Sequence, residues 1–518
     1  MQNLESYVAG RWHQGTGTPR ELVNPTTGAV IANCDSAGID FGEVLRTAHE
    51  VGGPALRAMS FVERARMLKD LSAAIHEQRE ALIDVSVQNG GNTRGDAKFD
   101  LDGATGTLAA YASFGKRLGE RPFLSDGEGM QLGRTARFWG QHVRVPRQGA
   151  AVHINAFNFP GWGMMEKAAC ALLAGMPVIE KPGTPTALVA WHIAKITVDS
   201  GLLPEGAFQF VAGSLGDLLD RLGPQDCVAF TGSARTGETI RSNPNLLRRN
   251  VRVNIEADSV NATVLAPDVD SSSEAYGSFL SNVALDMTQK TGQKCTAVRR
   301  VFVPAERVDE VATDLVAELG RTKVGDPTDK AHRMGPLTNG AQLEDVRSGI
   351  RELSTHARVA CGGPDTIADQ GCFVAPTLLV AQDAREAVFH DKEVFGPVAT
   401  MLPYSGEAAE AVELVNLGGG SLVTSLYSND ADWTTAFVLG VAPWHGRVWI
   451  GDDRSVEQAL PPGMVLPGMI HGGPGRAGGG EELGGERGLE FYMQRVAIQG
   501  FKGLVDGRFG PAESSANG

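Results

Sequence analysis

The feature that most constrains the fold is a repeated alternation of short apolar strands with helices. AAVHINAF at 150–157 and PVIEKP at 177–182 have the composition of short buried strands. Between them, WGMMEKAACALLAG has the length and composition of a helix that ends at Gly175. Strand, helix and strand in succession predict neighbouring parallel strands, because a parallel connection has to cross the face of the sheet.

The alternation continues along the chain and indicates the fold class. DCVAFTGS at 226–233, RVNIEA at 252–257 and VRRVFVPA at 298–305 resemble strands, and residues 61–85 have helical apolar spacing. We therefore predict an α/β protein with a doubly wound, mostly parallel sheet, in which ligands bind beyond the carboxyl ends of the strands. With 518 residues, the chain is long enough for two or three domains.

Two segments far apart in the sequence share the pattern of edge strands. TARFWGQHVRVPRQ at 135–148 and FYMQRVAIQGF at 491–501 alternate polar and apolar residues. If they pair, they form an exposed edge that can recruit a second subunit. If they do not pair, they are ordinary surface strands.

Charge and cysteine content exclude several classes of protein. Acidic residues outnumber basic ones, 61 to 47, which argues against nucleic acid or an anionic membrane as the main partner. The six cysteines form no C-x-x-C pair and no zinc spacing with histidine, so we expect neither a disulfide framework nor a metal. The N-terminus lacks an apolar signal region, and the longest apolar run is well short of the ~20 residues of a membrane span. These features predict a soluble, cytoplasmic protein.

Cys295, in TGQKCTAVRR, is a candidate nucleophile. Lys294 precedes it and Arg299 and Arg300 follow, and nearby cations lower the pKa of a thiol and raise its nucleophilic thiolate fraction. The alternative is a small buried hydrophobic residue, the usual role of a free cysteine. A cysteine-protease mechanism needs a partner histidine, and the neighbouring sequence indicates none.

Glu256 and Asn158 are candidates for proton transfer and for oxyanion binding. Glu256 ends a predicted strand, where a carboxylate can act as a general base, especially if apolar surroundings raise its pKa. A capping or salt-bridged glutamate is the alternative. Asn158, in INAFNFPGWG, can donate its amide to an oxyanion, although Asn before an aromatic–Pro turn is also ordinary turn chemistry.

Two strand ends are candidate contacts for a phosphate-bearing cofactor. In FTGSARTG, at 230–237, a strand runs into a turn and Gly237 follows near the start of a helix, where backbone N–H groups can bind a phosphate. Lys181 follows another strand and can bind a ribose hydroxyl or phosphate, or can be a plain exposed lysine. A formal G-x-G-x-x-G that begins at Gly473 is attributed to chance, because no apolar strand leads into it.

The order of these motifs is more specific than any one of them. NFP, KPGTPT, FTGS-x-x-x-G, a strand-end glutamate, GQ-x-C and EVFGPV follow in an order that resembles the aldehyde dehydrogenase superfamily, over nearly the whole chain. The resemblance implies a Rossmann-like cofactor domain, an α/β catalytic domain and a β oligomerisation element. The implied boundaries are 1–130 and 149–257 for the nucleotide-binding domain, 258–455 for the catalytic domain, 131–148 and 488–505 for the oligomerisation strands, and 456–487 for a glycine-rich return to the cofactor domain.

The catalytic roles of that family then apply to the matching residues. Cys295 would be the nucleophile, and Asn158 would hold the oxyanion together with the backbone N–H of Cys295. Glu256 would activate the thiol or the hydrolytic water, and Lys167 and Glu482 match a proton-relay pair seen in some members. Thiolate addition, hydride loss to a nicotinamide and hydrolysis of the thioester would give a carboxylic acid.

The resemblance also assigns cofactor contacts. The matching residues are Lys181 and Glu393 for the ribose hydroxyls, Phe395 beside the nicotinamide, and Gly232 and Ser233 in the turn that faces the pyrophosphate. In the family, an acidic residue three positions after the ribose lysine favours NAD by binding its 2′-hydroxyl. Thr184, which is small and neutral, occupies that position here, so we expect NADP to be preferred and NAD to be the weaker alternative.

Three departures narrow the resemblance. Phe157 replaces the usual Trp before N-F-P, ADSVN follows Glu256 in place of L-G-G-K, and a segment from His471, HGGPGRAGGGEELGG, replaces the common P-F-G-G end. These variants resemble a narrower group in the family that oxidises semialdehydes in the aerobic degradation of benzoate and phenylacetate. The implied substrate is a CoA thioester whose distal aldehyde is oxidised.

Two other functions remain open. A CoA-acylating aldehyde dehydrogenase passes its acyl group to CoA, but such enzymes generally lack the general base that Glu256 would supply. A non-enzymatic protein that retains the fold is disfavoured by the joint presence of Cys295, Asn158 and Glu256. The resemblance further implies a closed homo-oligomer, either a homodimer or a homotetramer.

Overall fold

Short strands and helices alternate in the first half of the chain. The structure is a computed structural model, and it describes residues 2–511. The elements of this half are β1 (Gln2–Leu4), β2 (Ser6–Val8), β3 (Arg11–His13), β4 (Arg20–Val23), β5 (Val30–Cys34), α1 (Phe41–Thr47), α2 (Gly53–Ala58), α3 (Phe61–Glu77), α4 (Arg79–Gly90), α5 (Arg94–Leu118), β6 (Leu124–Ser125), β7 (Met130–Gln131), β8 (Phe138–Pro146), β9 (Ala151–Ile154), α6 (Trp162–Ala174), β10 (Val178–Lys181), α7 (Ala187–Asp199), β11 (Phe208–Phe210), α8 (Leu218–Arg221), β12 (Cys227–Thr231), α9 (Ala234–Arg241), α10 (Pro244–Arg249) and β13 (Arg252–Glu256).

The first large sheet has the strand order β13-β12-β9-β10-β11-β2-β3. Its strands from β9 to β13 are parallel, with Ala151 of β9 beside Val178 of β10 and Cys227 of β12. The predicted strands at 150–157, 177–182, 226–233 and 252–257 are therefore confirmed, and so is the doubly wound plan. The chain places β10 on one side of β9 and later places β12 on the other side. A crevice therefore opens beyond the carboxyl ends of β9 and β12.

The second half of the chain forms a similar sheet, and its last strand then pairs with β8 of the first half. Its elements are β14 (Ala262–Leu265), α11 (Glu274–Thr288), β15 (Arg300–Pro304), α12 (Val308–Leu319), α13 (Gly340–Leu353), β16 (Ala357–Cys361), β17 (Thr377–Ala381), α14 (Val388–Asp391), β18 (Val398–Tyr404), α15 (Ala408–Asn416), β19 (Ser421–Tyr427), α16 (Ala431–Val441), β20 (His445–Gly451), β21 (Ile470–Gly473), β22 (Gly480–Leu483), β23 (Met493–Phe501) and α17 (Lys502–Phe509). The second sheet has the order β16-β17-β18-β15-β14-β19-β20, in which β16 alone is antiparallel to its neighbour.

The two segments with the edge-strand pattern do pair. β8 and β23 run antiparallel in an unbroken register from Phe138 opposite Phe501 to Pro146 opposite Met493. β6 and β7 lie on the other side of β8. The predicted pairing is confirmed, and the outer edge of β23 remains exposed, with Val496 43% and Phe501 63% accessible.

Helix boundaries follow local signals. Helical spacing at 61–85 is realised as α3 and α4, and α3 starts at a capping box in which Ser60 and Glu63 satisfy each other's backbone N–H groups. α6 ends at Gly175, which adopts a φ of 94°, as its sequence predicted. Nearly every side chain of α6 is buried, including those of Glu166 and Lys167. These two ionisable groups lie beside the site described below. Within residues 2–511, no helix is long and apolar enough to cross a membrane.

Candidate active site

A strained loop between α11 and β15 carries Cys295. Lys290, Thr291 and Gly292 have successive positive φ angles of 52°, 57° and 66°. A left-handed backbone costs a non-glycine residue on the order of 1–3 kcal/mol, and such strain persists only where the surroundings fix the conformation.

Buried hydrogen bonds fix this loop. Asn261 Nδ2 donates to the carbonyl of Cys295 at 2.7 Å and to that of Ala297 at 2.9 Å. The guanidinium of Arg299 donates to the carbonyl oxygens of Gly292 and Gly396, at 2.9 Å and 2.7 Å. The thiol is thus presented from a backbone that is held on both sides.

The sequence neighbours of Cys295 do not act on its thiol as predicted. Lys294 pairs at 2.8 Å with a buried aspartate of α11, while Arg299 and Arg300 donate to backbone carbonyls of neighbouring elements. Burial, and after it the negative charge of Glu256, raises the pKa of the Cys295 thiol well above its ordinary value. The prediction that this pKa is lowered is wrong, because burial and the charge of Glu256 outweigh the nearby cations, whose side chains are bonded to other partners.

A histidine that the sequence analysis did not select contacts both the Cys295 thiol and the Glu256 carboxylate. His471 Nε2 is 3.8 Å from Cys295 Sγ and 3.0 Å from Glu256 Oε2. Glu256 ends β13, whereas His471 belongs to β21, 176 residues after Cys295. The signal in the sequence was the replacement of the common P-F-G-G by HGG at this point.

His471 also changes the expected behaviour of Glu256. Burial alone would raise the pKa of Glu256, but the positive charge and hydrogen bond of His471 lower it to about 2. The condition under which apolar surroundings would raise the pKa of Glu256 is therefore not met, because charged groups line the pocket around this carboxylate. Glu256 is held as a carboxylate beside an imidazole.

Three side chains from distant parts of the chain converge at this point. One side-chain heteroatom from each of Glu256, Cys295 and His471 lies within 4.8 Å of the other two.

The two residues matched to a proton relay are in contact behind this group. Lys167 Nζ lies 3.2 Å from Glu482 Oε2 and 3.7 Å from Glu166 Oε1, and Asn254 Nδ2 donates to Glu482 Oε1 at 3.1 Å. Glu482 lies directly opposite His471 in the β21–β22 register. Burial raises the pKa of Glu166 to about 7, although the charge of Lys167 opposes this. The relay role itself stays a prediction.

Cys295 lies where two cavities meet. One cavity, of about 610 Å³, follows the carboxyl ends of β9 and β12, and the other is a narrow channel of about 40 Å³. Asn158 and Glu256 line both. Asn158 Nδ2 donates to the carbonyl of Gln293 at 2.9 Å, and the second N–H of the same amide can donate to an oxyanion.

Most of the predicted cofactor contacts line the larger cavity, namely Lys181, Gly232, Ser233, Glu393 and Phe395. The Phe395 ring meets that of Phe157 edge-on, with 5.9 Å between centroids. Burial raises the pKa of the Glu393 carboxyl to about 7, although the charge of Arg299 opposes this.

Two predicted cofactor residues are not on the wall of this cavity. Thr184 begins the short helix Thr184–Thr186 after Lys181, and Gly237 is buried against Ile255. The G-x-G-x-x-G match that begins at Gly473 lies in the β21–β22 hairpin, so it does not connect a strand to a phosphate-binding helix.

Comparison with known proteins places this geometry in context. The chain matches the aldehyde dehydrogenase family over residues 12–498. It is 42% identical to a 3,4-dehydroadipyl-CoA semialdehyde dehydrogenase of Aromatoleum evansii, over 91% of this chain and 93% of the relative. Its fold is similar to that of a Bacillus cereus aldehyde dehydrogenase in complex with NAD⁺ (TM-score 0.84, 23% identity, 96% of this chain and 97% of the other). It is equally similar to an Escherichia coli NADP-dependent enzyme (TM-score 0.85, 23% identity, 96% and 98%).

Proposed function

The chain belongs to the aldehyde dehydrogenase family, and on that premise we propose that it oxidises 3,4-dehydroadipyl-CoA semialdehyde to 3,4-dehydroadipyl-CoA with NADP as its preferred cofactor. Its family and relatives make it an aldehyde-oxidising oxidoreductase that uses a nicotinamide cofactor. The observation that supports the finer proposal most directly is the position of the Cys295 thiol at the junction of a wide and a narrow cavity.

The wide cavity fits a nicotinamide dinucleotide. Its volume of about 610 Å³ is within the range of 300–1,000 Å³ typical of cofactor sites. Ser233 precedes α9, whose first backbone N–H groups suit a pyrophosphate. Lys181 and Glu393 would bind ribose hydroxyls, and Phe395 would pack beside the nicotinamide. The chemistry that the bound cofactor supplies is acceptance of a hydride.

Cys295, Asn158 and Glu256 would act in turn on the aldehyde. The thiolate adds to the carbonyl carbon, and Asn158 Nδ2 with the backbone N–H of Cys295 stabilises the oxyanion. Loss of the hydride leaves a thioester on Cys295, which water hydrolyses after giving a proton to Glu256. Lys167 and Glu482, 3.2 Å apart, would pass that proton on.

Preference for NADP is supported by the charges near Lys181. Burial lowers the pKa of Lys181, and the nearby Arg20 guanidinium lowers it further, whereas the Cys34 thiol opposes them. Thr184 adds no negative charge after this strand. Two cations and a neutral residue favour a 2′-phosphate over a bare 2′-hydroxyl.

A CoA-linked aldehyde is supported by the narrow channel. Its walls include the aromatic residues Phe99, Phe159 and Trp162, and its volume of about 40 Å³ admits only a slender chain end. A terminal aldehyde on an unbranched chain can therefore reach Cys295 while a bulky CoA group stays outside. The relative from Aromatoleum evansii bears the name of such an activity.

A substrate panel tests the proposal. Purified protein is assayed with 3,4-dehydroadipyl-CoA semialdehyde, the ring-cleavage semialdehyde of phenylacetate degradation and simple free aldehydes, each with NADP and with NAD. We expect the highest kcat/KM for the first substrate with NADP. Activity confined to simple free aldehydes contradicts the substrate assignment and leaves the family unchanged.

Two controls address the alternative functions. Turnover that requires added free CoA would identify a CoA-acylating enzyme, whereas we expect none because Glu256 is present. Cys295→Ala should abolish turnover, and undiminished function of this variant in the cell would favour a non-enzymatic role.

We also propose a homodimer in the cytoplasm, with the boundaries between cofactor, catalytic and oligomerisation segments given by the resemblance. The outer edge of β23 supports this, because an edge strand with exposed apolar side chains is a ready surface for a second copy. Light scattering of the purified protein distinguishes a dimer from a tetramer or a monomer.

A further inference from the structure

Building on the proposed oxidation, we infer that His471 is a further catalytic residue, which accepts the proton of the Cys295 thiol while Glu256 stabilises the imidazolium that forms. The relevant contacts lie between one imidazole nitrogen and two partners. Nε2 of His471 is 3.8 Å from Cys295 Sγ and 3.0 Å from Glu256 Oε2.

The side chains of His471 and Glu256 are shielded from solvent where they contact each other and Cys295. His471 and Glu256 are 5% and 2% exposed. Within residues 2–511, neither carboxylate oxygen of Glu256 has a well-aligned hydrogen bond, so its contact with His471 at 3.0 Å is an ion pair. A buried carboxylate needs a positive or donating partner, and an imidazolium at 3.0 Å supplies the positive charge.

A thiolate at Cys295 also needs a positive partner. Burial and the charge of Glu256 both raise the pKa of the thiol, so the carboxylate alone would oppose ionisation. Lys294 and Arg299 are engaged by other groups. The imidazole of His471 is in contact with the sulfur and can become positive by taking its proton.

The charged groups around His471 favour its protonated form. Burial lowers the pKa of His471, but Glu256 and the Glu166 carboxylate on α6 raise it by more, and Arg447 on β20 opposes them only in part. Facing it from β22, Glu482 is paired with Lys167 at 3.2 Å.

The proton transfer is balanced without any co-reactant. The S–H bond of Cys295 breaks, an N–H bond forms at His471 Nε2, and the electron pair stays on sulfur as the thiolate. The new imidazolium contacts both the thiolate and Glu256, so one positive charge faces two negative ones. The thiolate then adds to the aldehyde, and Glu256 remains the base for the later hydrolysis.

The identity of the residue supports a chemical rather than a purely steric role. A phenyl ring can line the channel equally well but cannot take a proton. His471→Phe therefore keeps an aromatic ring of similar size and removes only the proton acceptor.

Alkylation of Cys295 by iodoacetamide, followed against pH by peptide mass spectrometry, tests this inference. The partly exposed thiols Cys361 and Cys372 serve as internal references in the same sample. We expect His471→Phe and His471→Gln to raise the midpoint of Cys295 alkylation by about one pH unit or more, and to leave the reference thiols unchanged. The melting temperature confirms that each variant is folded.

Glu256→Gln, made in both backgrounds, separates proton transfer from simple packing. With His471 present, it should slow Cys295 alkylation, because the imidazolium loses its carboxylate. With His471→Phe it should accelerate alkylation, because the carboxylate then only repels the thiolate. The same direction of effect in both backgrounds, or an unchanged midpoint in folded His471 variants, would overturn the inference. Alkylation needs neither aldehyde nor cofactor, so this outcome is independent of the substrate panel.

Discussion

Replacing Glu166 with glutamine tests how the buried charges beside the active site affect stability. Glu166 is 8% exposed, and burial raises its pKa from 4.5 to about 7 despite the nearby charge of Lys167. A carboxyl whose pKa is higher in the folded protein stabilises the fold below the unfolded value, and this contribution is lost as pH rises through the folded value. The difference between these pKa values corresponds to about 3 kcal/mol of free energy of unfolding.

Glutamine does not titrate, so the variant lacks this dependence on pH. We expect the free energy of unfolding of Glu166→Gln, minus that of the wild type, to rise by about 3 kcal/mol from pH ~4 to pH ~9. Equilibrium urea unfolding followed by tryptophan fluorescence measures it. Glu481→Gln makes the same change at an exposed residue of β22 and is the matched control. A difference that is constant with pH, or that falls as pH rises, would refute the reasoning.

Two further predictions concern the site itself. Asn158→Ala should lower kcat by roughly 10²–10³ with little change in KM, because its amide acts on the transition state; an effect on KM alone in steady-state assays would contradict this. Thr184→Glu should lower the ratio of kcat/KM with NADP to kcat/KM with NAD. A wild type with the higher kcat/KM for NAD would contradict this reasoning.

The strands that carry the site could be predicted because their signals are local. β9, β10, β12 and β13 are short apolar runs bounded by polar or glycine-containing turns, and in an α/β fold such runs end where ligands bind. Asn158 and Glu256 follow or end two of these strands, so the fold class alone was enough to bring them to one crevice. The structure places both on the walls of the same two cavities.

The electrostatics of the site could not be predicted from neighbouring residues. Lys294 and Arg299 are adjacent or close to Cys295 in sequence, yet both are buried and bonded to other partners. The effect of a charge on a thiol falls with distance and is reduced when the charge is paired, and successive residues of an irregular loop point in different directions. The carboxylate that raises the pKa of the thiol, Glu256, lies on another strand.

The glycine-rich segment shows how a distant residue reaches the thiol. Any side chain at Gly478 would collide with the carbonyl of Ile255 on β13, and any at Gly473 with the carbonyl of Ser421 on β19. The β21–β22 hairpin therefore fits between the two large sheets only because its backbone is bare at these contacts. The high glycine content of this segment lets the hairpin pack close to β13. The β21–β22 register then places His471 next to Cys295 and Glu482 next to Lys167.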